Sequence, residues 1–131
     1  MIALDTNIVL RALIDDEDED QSATAAALVA RQHCFVPLTV VLEVEWIMRG
    51  VMQLPRAVVA EGIALLVSVE NIVVEKVDAV EAALEWFLGG MDFPDALHVA
   101  TAVHCERFAT FDKAMIRSAR RIGLPLGVAA P

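Results

Sequence analysis

The sequence is short of long hydrophobic runs, cysteines and basic residues. Its longest stretch without a charge, Gln32 to Leu42, has 11 residues, about half of what a membrane-spanning helix needs. Asp5 and Arg11 lie where a secretory signal would need apolar residues, so we expect no such signal and a cytoplasmic location. Cys34 and Cys105 are far apart and outside any CxxC pattern, which excludes a disulfide framework or a cysteine-based zinc site.

The charge balance argues against a protein that binds nucleic acid through a broad basic surface. Nineteen acidic and ten basic residues give a net charge of −9. Residues 107–131 nevertheless carry +4, and the other 106 residues carry −13. This C-terminal region could still bind an anionic polymer locally, provided that a metal ion neutralises the central acids.

Length and composition predict one domain over residues 1–131 with a sizeable core. Apolar residues make up 57% of the chain, above the roughly 45–50% usual in soluble domains. The acidic run Asp15 to Asp20 is the one low-complexity segment. We interpret it as a solvated loop between the first two helices, with contact to a basic partner as the alternative.

Short apolar runs alternate with segments of helical period, which predicts an α/β domain with a parallel sheet. Each run is mostly apolar, as expected for strands covered on both faces. The predicted strands are Ile2–Leu4, His33–Val36, Asn71–Val74, Phe108–Phe111 and a short one at Leu126–Val128. The predicted helices are Ser22–Arg31, Thr39–Arg49, Pro55–Val67, 78–88, Pro94–Glu106 and Lys113–Ile122.

Several residues at the ends of these helices suit their boundaries. Asp20 and Thr39 are predicted N-caps, because their side chains can accept hydrogen bonds from the first free amides. Gly50 and Gly123 are predicted to end their helices, because glycine readily adopts the left-handed conformation found there.

Two aspartates directly follow predicted strands. Asp5 comes after the first strand, and Asp112 comes after Phe108–Phe111. The carboxyl ends of parallel strands face the ligand crevice, so both side chains are candidates for a site. Helix capping is the alternative for each.

Two other acids lie early in apolar helices. Glu43 interrupts a run of apolar residues, although the helix dipole alone could explain a glutamate there. Asp95 lies in the first turn of a helix opened by Pro94. Asp92 is the better cap for that helix, or it lies at the rim of the same site. We expect Glu45, which faces elsewhere on its helix, at the surface.

We expect Asp5, Glu43, Asp95 and Asp112 to lie in strongly apolar surroundings, where an unpaired charge is costly. Together these four acids predict a metal centre. Two of the acids end strands, and the other two lie in the first turns of helices that leave the same edge of the parallel sheet. The four carboxylates can therefore converge at that edge. Unpaired carboxylates at close range repel one another in apolar surroundings unless a cation lies between them. Oxygen ligands without histidine or cysteine suit Mg²⁺ or Mn²⁺. Such an ion would activate water for attack on a phosphodiester.

The motifs resemble those of the PIN-domain ribonucleases, and most closely the VapC-type toxins of bacterial toxin–antitoxin pairs. The resemblance covers essentially the whole chain and rests on four segments: Leu4-Asp5-Thr6-Asn7-Ile8-Val9-Leu10-Arg11, Glu43 in its apolar helix, Phe93-Pro94-Asp95-Ala96-Leu97-His98, and Thr110-Phe111-Asp112. It implies a three-layer α/β/α fold with a short central parallel sheet. It also implies a homodimer that cleaves RNA internally with Mg²⁺ and is inhibited by a cognate antitoxin.

By this resemblance a set of acids would bind the metal and catalyse, namely Asp5, Glu43, Asp95 and Asp112, supported by Thr6, Asn7 and Thr110. Asp92 is a further supporting candidate from its position in the sequence. Arg11, Arg117 and Arg120 are candidate RNA contacts. For the cluster Arg117, Arg120 and Arg121, a solvated helix face is the more common arrangement. His98 lies one turn beyond Asp95, but an all-oxygen Mg²⁺ site does not need imidazole.

Other functions remain open from the residues alone. Haloacid dehalogenase-like phosphatases need a second aspartate two residues after the first, where this chain has Asn7. A receiver-type signalling domain would need an acidic pair after the first strand and a phospho-acceptor after the third, and residues 75–78 fit this poorly. A catalytically silent PIN-like module that binds RNA or protein is the main alternative.

Overall fold

The computed structural model describes residues 1–14 and 19–131. These residues form two compact units, Met1–Val77 (the first unit) and Asp78–Pro131 (the second unit). Most of the acidic run Asp15–Asp20, with the loop predicted for it, lies outside the described residues. A single domain over residues 1–131 stays a prediction.

The first unit contains a parallel sheet of three short strands. Its elements are β1 (Ile2–Ala3), α1 (Thr6–Leu13), α2 (Glu19–Arg31), β2 (Cys34–Val36), α3 (Leu38–Trp46), a π-helical turn (Ile47–Val51), α4 (Arg56–Ser68) and β3 (Ile72–Val74). The strand order is β1-β2-β3, with Cys34 aligned to Ile2 on one side and to Ile72 on the other. Parallel neighbours need crossover connections, which the intervening helices supply. The predicted parallel α/β pattern is therefore confirmed in this unit.

The central strand and its edge neighbour differ in burial. Cys34 and Val36 of β2 are fully buried. Both residues of β1 are exposed, and Ile2 shows 41% of its surface. The prediction that every strand is covered on both faces is wrong for β1, both of whose residues remain accessible to solvent.

Three predicted helix boundaries in the first unit are wrong. Asp20 lies inside α2 rather than at its cap, and its carbonyl oxygen accepts a hydrogen bond from the Thr24 hydroxyl. Thr39 lies inside α3, whose N-cap position is held by Pro37. Gly50 does not end the helix either, because the chain continues through the π-helical turn and leaves the helix at Met52.

An ion pair between a buried glutamate and a partly exposed arginine joins α3 to the π-helical turn. Glu45 is fully buried, and Arg49 Nε donates to both of its carboxylate oxygens, at 3.1 and 2.9 Å. The expectation that Glu45 lies at the surface is wrong. Val41, Val44, Glu45 and Met48 occupy successive positions of one helical stripe, and all four are buried, so the glutamate shares the face that packs inward.

The second unit contains two parallel strands and three helices. Its elements are α5 (Val77–Leu88), α6 (Phe93–Ala100), β4 (Arg107–Ala109), α7 (Lys113–Ile122) and β5 (Gly127–Ala129). Phe108 of β4 is aligned with Val128 of β5. The rings of Phe87 and Phe93 meet edge to face, with centroids 5.9 Å apart. Such a pair holds the end of α5 against the start of α6.

Helix α7 matches its prediction, whereas α6 does not. The carboxylate of Asp112 caps the first turn of α7, and Gly123 ends the helix in the left-handed conformation with φ +80°. The predicted end of α6 at Glu106 is wrong, because the helix ends at Ala100. The amide of Ala102 bonds to the carbonyl of Val99, so the helix tightens into turns there. Phe111 lies outside β4, which ends two residues earlier.

Among the described residues, no helix has both the length and the apolar character needed to cross a membrane.

We expect the Glu45–Arg49 pair to contribute measurably to stability. Replacing Arg49 by methionine leaves a buried carboxylate without this cation. The free energy of unfolding should fall by about 2 kcal/mol, less than the roughly 3–5 kcal/mol lost when a wholly buried pair is broken, because the Arg49 side chain is 41% exposed. Urea unfolding followed by circular dichroism measures the change.

Two further variants complete this test. Glu45→Met combined with Arg49→Met should recover most of the loss, because no charge is then left buried. Arg31→Met, in the exposed last turn of α2, should change stability by no more than about 0.5 kcal/mol. Equal stability of Arg49→Met and the unmodified chain would show that the pair contributes nothing.

Candidate active site

Three of the acids singled out by the sequence line one pocket of the second unit. The pocket has a volume of about 130 Å³. Its lining consists of Gly90, Met91, Asp92, Asp95, Asp112, Ala114, Met115 and Ser118. The start of α6 supplies Asp92 and Asp95 to this pocket, and the start of α7 supplies Asp112.

A glycine turn positions the first two acids. Gly90 has φ +106° and leads the chain from α5 towards Asp92. Arg121 Nη2 donates to the carbonyl oxygen of Gly89 at 3.0 Å, which fixes this turn to α7. A Cβ atom on Gly90 would lie 2.9 Å from the same guanidinium nitrogen. Glycine is favoured here by the positive φ, and a larger residue would also have to displace the end of the Arg121 side chain.

Asp92 occupies the N-cap position of α6, but its side chain makes no capping hydrogen bond. The expectation that Asp92 caps the helix is therefore correct for its position and wrong for its side chain. Asp95 follows in the first helical turn and is partly buried. Both carboxylates line the pocket.

Asp112 has two structural roles at the start of α7. Its Oδ1 atom accepts hydrogen bonds from the amides of Ala114, at 2.9 Å, and Met115, at 3.1 Å. Its own amide donates to Thr110 Oγ1 at 3.0 Å. Among the described residues, no hydrogen bond involves Oδ2. Asp112 can therefore cap α7 with Oδ1 and still line the pocket, because the cap uses only that oxygen.

The pocket raises the pKa of Asp95 above the usual value for an aspartate. Burial is the largest cause, because it disfavours the charged form. The negative charges of Asp92 and Asp112 raise the pKa further, and His98, one turn along α6, opposes them. Asp92 and Asp112 thus each lie close enough to Asp95 to repel its carboxylate.

The donor chemistry of this pocket suits a hard divalent cation. Carboxylate oxygens are the ligands that Mg²⁺ prefers, and the ion would relieve the repulsion that raises the pKa of Asp95. Within residues 1–14 and 19–131, however, no three histidine, cysteine, aspartate or glutamate side chains form a ready coordination group. The pocket thus suits a cation in its charge and donor type, but its carboxylates are not arranged as a complete set of ligands.

Two predicted ligands lie in the first unit. The carboxylate of Asp5 accepts a hydrogen bond from the Ile8 amide at 3.0 Å and caps α1. Glu43 is exposed on α3. The expectation that Asp5, Glu43 and Asp112 lie in strongly apolar surroundings is wrong, because all three are exposed. Convergence of the four acids stays a prediction.

The other predicted residues of the first unit lie on α1. Thr6 is buried in its first turn. Asn7 and the partly buried Arg11 line a pocket of about 220 Å³ between α1 and α2, opposite Asp20 and Thr24. One helical turn separates Asn7 from Arg11, which brings both side chains to the same groove.

The basic residues of α7 divide by role. Lys113, Arg117 and Arg120 are exposed, and their spacing of four and three residues puts them on one face. Arg121 is held by the carbonyl of Gly89 and supports the pocket instead. The sequence indicated a basic cluster of Arg117, Arg120 and Arg121 but could not separate these roles, since all three lie on the same predicted helix.

Ser118 is a pocket residue that the sequence did not reveal. It is partly buried and lines the pocket one turn after Ala114. The only signal was its spacing of four residues from Ala114 on the predicted helix, which is too common to identify a site.

The raised pKa of Asp95 predicts the direction of a stability change with pH. A folded-state pKa above the unfolded value means that ionised Asp95 destabilises the folded chain. The stabilisation from its protonated form is complete below the unfolded pKa and is lost as the pH rises through the folded pKa. Asp95→Asn should therefore be more stable than the unmodified chain at pH 7, and this difference should shrink as the pH falls through that range.

Urea unfolding of both proteins across pH 3 to 8 measures this effect. Glu81→Gln, on the exposed surface of α5, removes a negative charge outside the pocket and should show no comparable gain. A stability difference for Asp95→Asn that grows towards low pH would contradict the assigned direction.

Comparison with known proteins identifies the fold family. The PIN domain profile matches residues 2–121, whereas no curated protein matches the chain. The match agrees with the three-stranded parallel sheet and with the seven α-helices of the described residues, and it confirms the predicted α/β/α fold class. PIN domains are generally nucleases. The chain belongs to the PIN-domain family and has its nuclease-type fold.

Proposed function

We propose that this protein is a metal-dependent endoribonuclease that hydrolyses RNA phosphodiester bonds. The observation that carries the proposal is the pocket of Asp92, Asp95 and Asp112 in a chain of the PIN-domain family. A concentration of carboxylates that raises the pKa of one member costs free energy, which a bound cation would offset. Such an acidic pocket has an evident use in phosphodiester hydrolysis.

The proposed cofactor is Mg²⁺, with Mn²⁺ as a substitute. Asp5, Glu43, Asp95 and Asp112 are the proposed ligands and catalytic residues. When bound, the ion makes water more acidic and stabilises negative charge on the phosphodiester. This assignment requires Asp5 and Glu43 to act together with the two acids of the second unit.

The residues around these acids would hold them in place. Thr110 accepts the amide hydrogen bond of Asp112 and so fixes the start of α7. Asp92 contributes further negative charge at the pocket. Thr6 and Asn7 follow Asp5 directly and begin the helix that it caps. Each of them is proposed as a supporting residue rather than a ligand.

The proposed substrate contacts are cationic. Arg117 and Arg120 present their side chains on the exposed face of α7, and Arg11 lines the groove between α1 and α2. The acidic body of the chain would repel RNA elsewhere, so these arginines would guide the phosphate backbone.

The proposed biological role is that of a VapC-type toxin in a toxin–antitoxin pair. It rests on the resemblance of the four motifs. The role implies a cognate antitoxin that blocks the acidic site, a homodimer and a cytoplasmic location. The alternative is a catalytically silent PIN-like module that binds RNA or a protein, for which the exposed basic face of α7 would suffice.

RNA cleavage by the purified chain tests the proposal. We expect Mg²⁺- or Mn²⁺-dependent cuts in a structured RNA pool, abolished by EDTA. Asp95→Asn, Asp5→Asn and Asp112→Asn should each lower the rate by at least about 100-fold, since each removes a carboxylate that would hold the ion, and the ion is what stabilises the reacting phosphate. Asparagine is as good an N-cap as aspartate, so the last two variants keep their helices.

Controls separate catalysis from folding in this experiment. Glu81→Gln should cleave at the unmodified rate. Mg²⁺ should raise the melting temperature of the unmodified chain and not that of Asp95→Asn. If neither cleavage nor Mg²⁺-dependent stabilisation occurs, the silent binding module replaces the nuclease as the better proposal.

The arginines of α7 predict a change in the salt dependence of RNA binding. Arg117→Glu with Arg120→Glu should weaken binding and lower the slope of log K against log[salt] by about 0.7 for each phosphate of a single strand that the variant no longer neutralises. Filter binding at several salt concentrations gives the slope. Arg31→Glu, on the exposed end of α2, is the matched control, and an unchanged slope in the double variant would rule out binding of phosphates by these arginines.

A further inference from the structure

Phe111 has the most exposed large apolar side chain among the described residues, with 84% of its surface accessible. Single exposed apolar residues are common and by themselves indicate nothing. Phe111 is distinguished by its place, immediately before the pocket residue Asp112.

The backbone on both sides of Phe111 is held by hydrogen bonds. The amide of Thr110 donates to the carbonyl oxygen of Ala129 at 3.0 Å. The amide of Asp112 donates to Thr110 Oγ1, and the carboxylate of Asp112 caps α7. The exposed ring therefore stands on a fixed connection between β4 and α7, rather than on a free end of the chain.

The neighbours of Phe111 combine the groups that a nucleotide requires. Asp112, the residue that follows Phe111, lines the acidic pocket. Lys113 and Arg117 follow on the exposed face of α7, and this helix contains no acidic residue. A nucleobase presents an apolar π-face and its phosphates carry negative charge, so a nucleotide can use the ring and the cations together. An apolar protein segment would use the ring alone.

We infer that Phe111 is a base-stacking residue, on which an unpaired base of the bound RNA stacks beside the acidic pocket. The inference rests on the proposed function, because it names a contact of the same substrate. Stacking on an aromatic side chain contributes about 1–3 kcal/mol per base. A ring on a fixed backbone binds a base at little entropic cost, since the platform is already in place.

The binding test uses a short fluorescent single-stranded RNA and chains that carry Asp95→Asn to prevent cleavage. Phe111→Ala should raise the Kd roughly 5- to 150-fold, which corresponds to the removal of one stacked base. Phe111→Trp should retain tight binding. Phe111→Leu should bind nearly as weakly as the alanine variant, because leucine has no aromatic face on which a base can stack. Since leucine keeps an apolar side chain, this variant separates stacking from simple apolar contact.

Val103→Ala is the matched control for the loss of an exposed apolar side chain, since Val103 is 52% exposed in the same unit. It should bind RNA with unchanged Kd. Because the ring of Phe111 is almost wholly in solvent, its variants should keep the melting temperature of the parent chain. As a direct readout, RNA that contains 5-iodouridine should cross-link to Phe111 on irradiation, as located by mass spectrometry.

Cleavage assays with Asp95 intact keep this inference separate from the proposed function. If the unmodified chain cleaves RNA and Phe111→Ala binds and cleaves it equally well, stacking is overturned and the nuclease stands. If the alanine variant instead loses self-association in sedimentation with unchanged RNA affinity, stacking is likewise overturned and Phe111 is a contact between copies of the chain. If the unmodified chain neither binds nor cleaves RNA, both proposals fail.

Discussion

At the junction of β4 and α7, the carboxylate of Asp112 accepts hydrogen bonds from the amides of Ala114 and Met115 while Thr110 bonds to both Ala129 and Asp112. These bonds satisfy amide groups that a helix start leaves without partners. They also fix where α7 begins, and hence the position of everything the helix carries. The exposed ring of Phe111, the basic face of α7 and the part of the acidic pocket that α7 supplies all depend on this junction. A capping residue thus determines the geometry of the candidate site.

The same junction concentrates negative charge at a cost. Asp95 is the acid whose pKa burial and its neighbours raise, so the pocket opposes the ionisation of its own carboxylate. A fold selected for stability alone would replace one of these acids with an uncharged residue. Their presence together in a PIN-domain chain is the physical reason for proposing that this pocket carries the function.

Helix α3 illustrates how packing decides between similar residues. Glu43 and Glu45 are two positions apart in one apolar helix, yet Glu43 is exposed and Glu45 is fully buried. Two helical positions differ by about 200° around the axis, so one glutamate faces solvent when the other faces the core. Burial of Glu45 is tolerated because Arg49 supplies a cation one turn later. The following π-helical turn carries this arginine and continues the helix beyond its expected end.

The local signals in the sequence determined the α/β order, the parallel strands and the whole of α7, because these depend on hydrophobic period and on caps such as Asp112 and Gly123. They also identified the acids of the pocket, since an aspartate after a strand or in a first helical turn is visible in the sequence. The tertiary structure alone decided that Glu45 is buried, that α6 ends at Ala100 and that Phe111 stands in solvent. Each of these depends on which surface packs against which neighbour, and contacts between residues distant in the chain leave no periodic trace in the sequence.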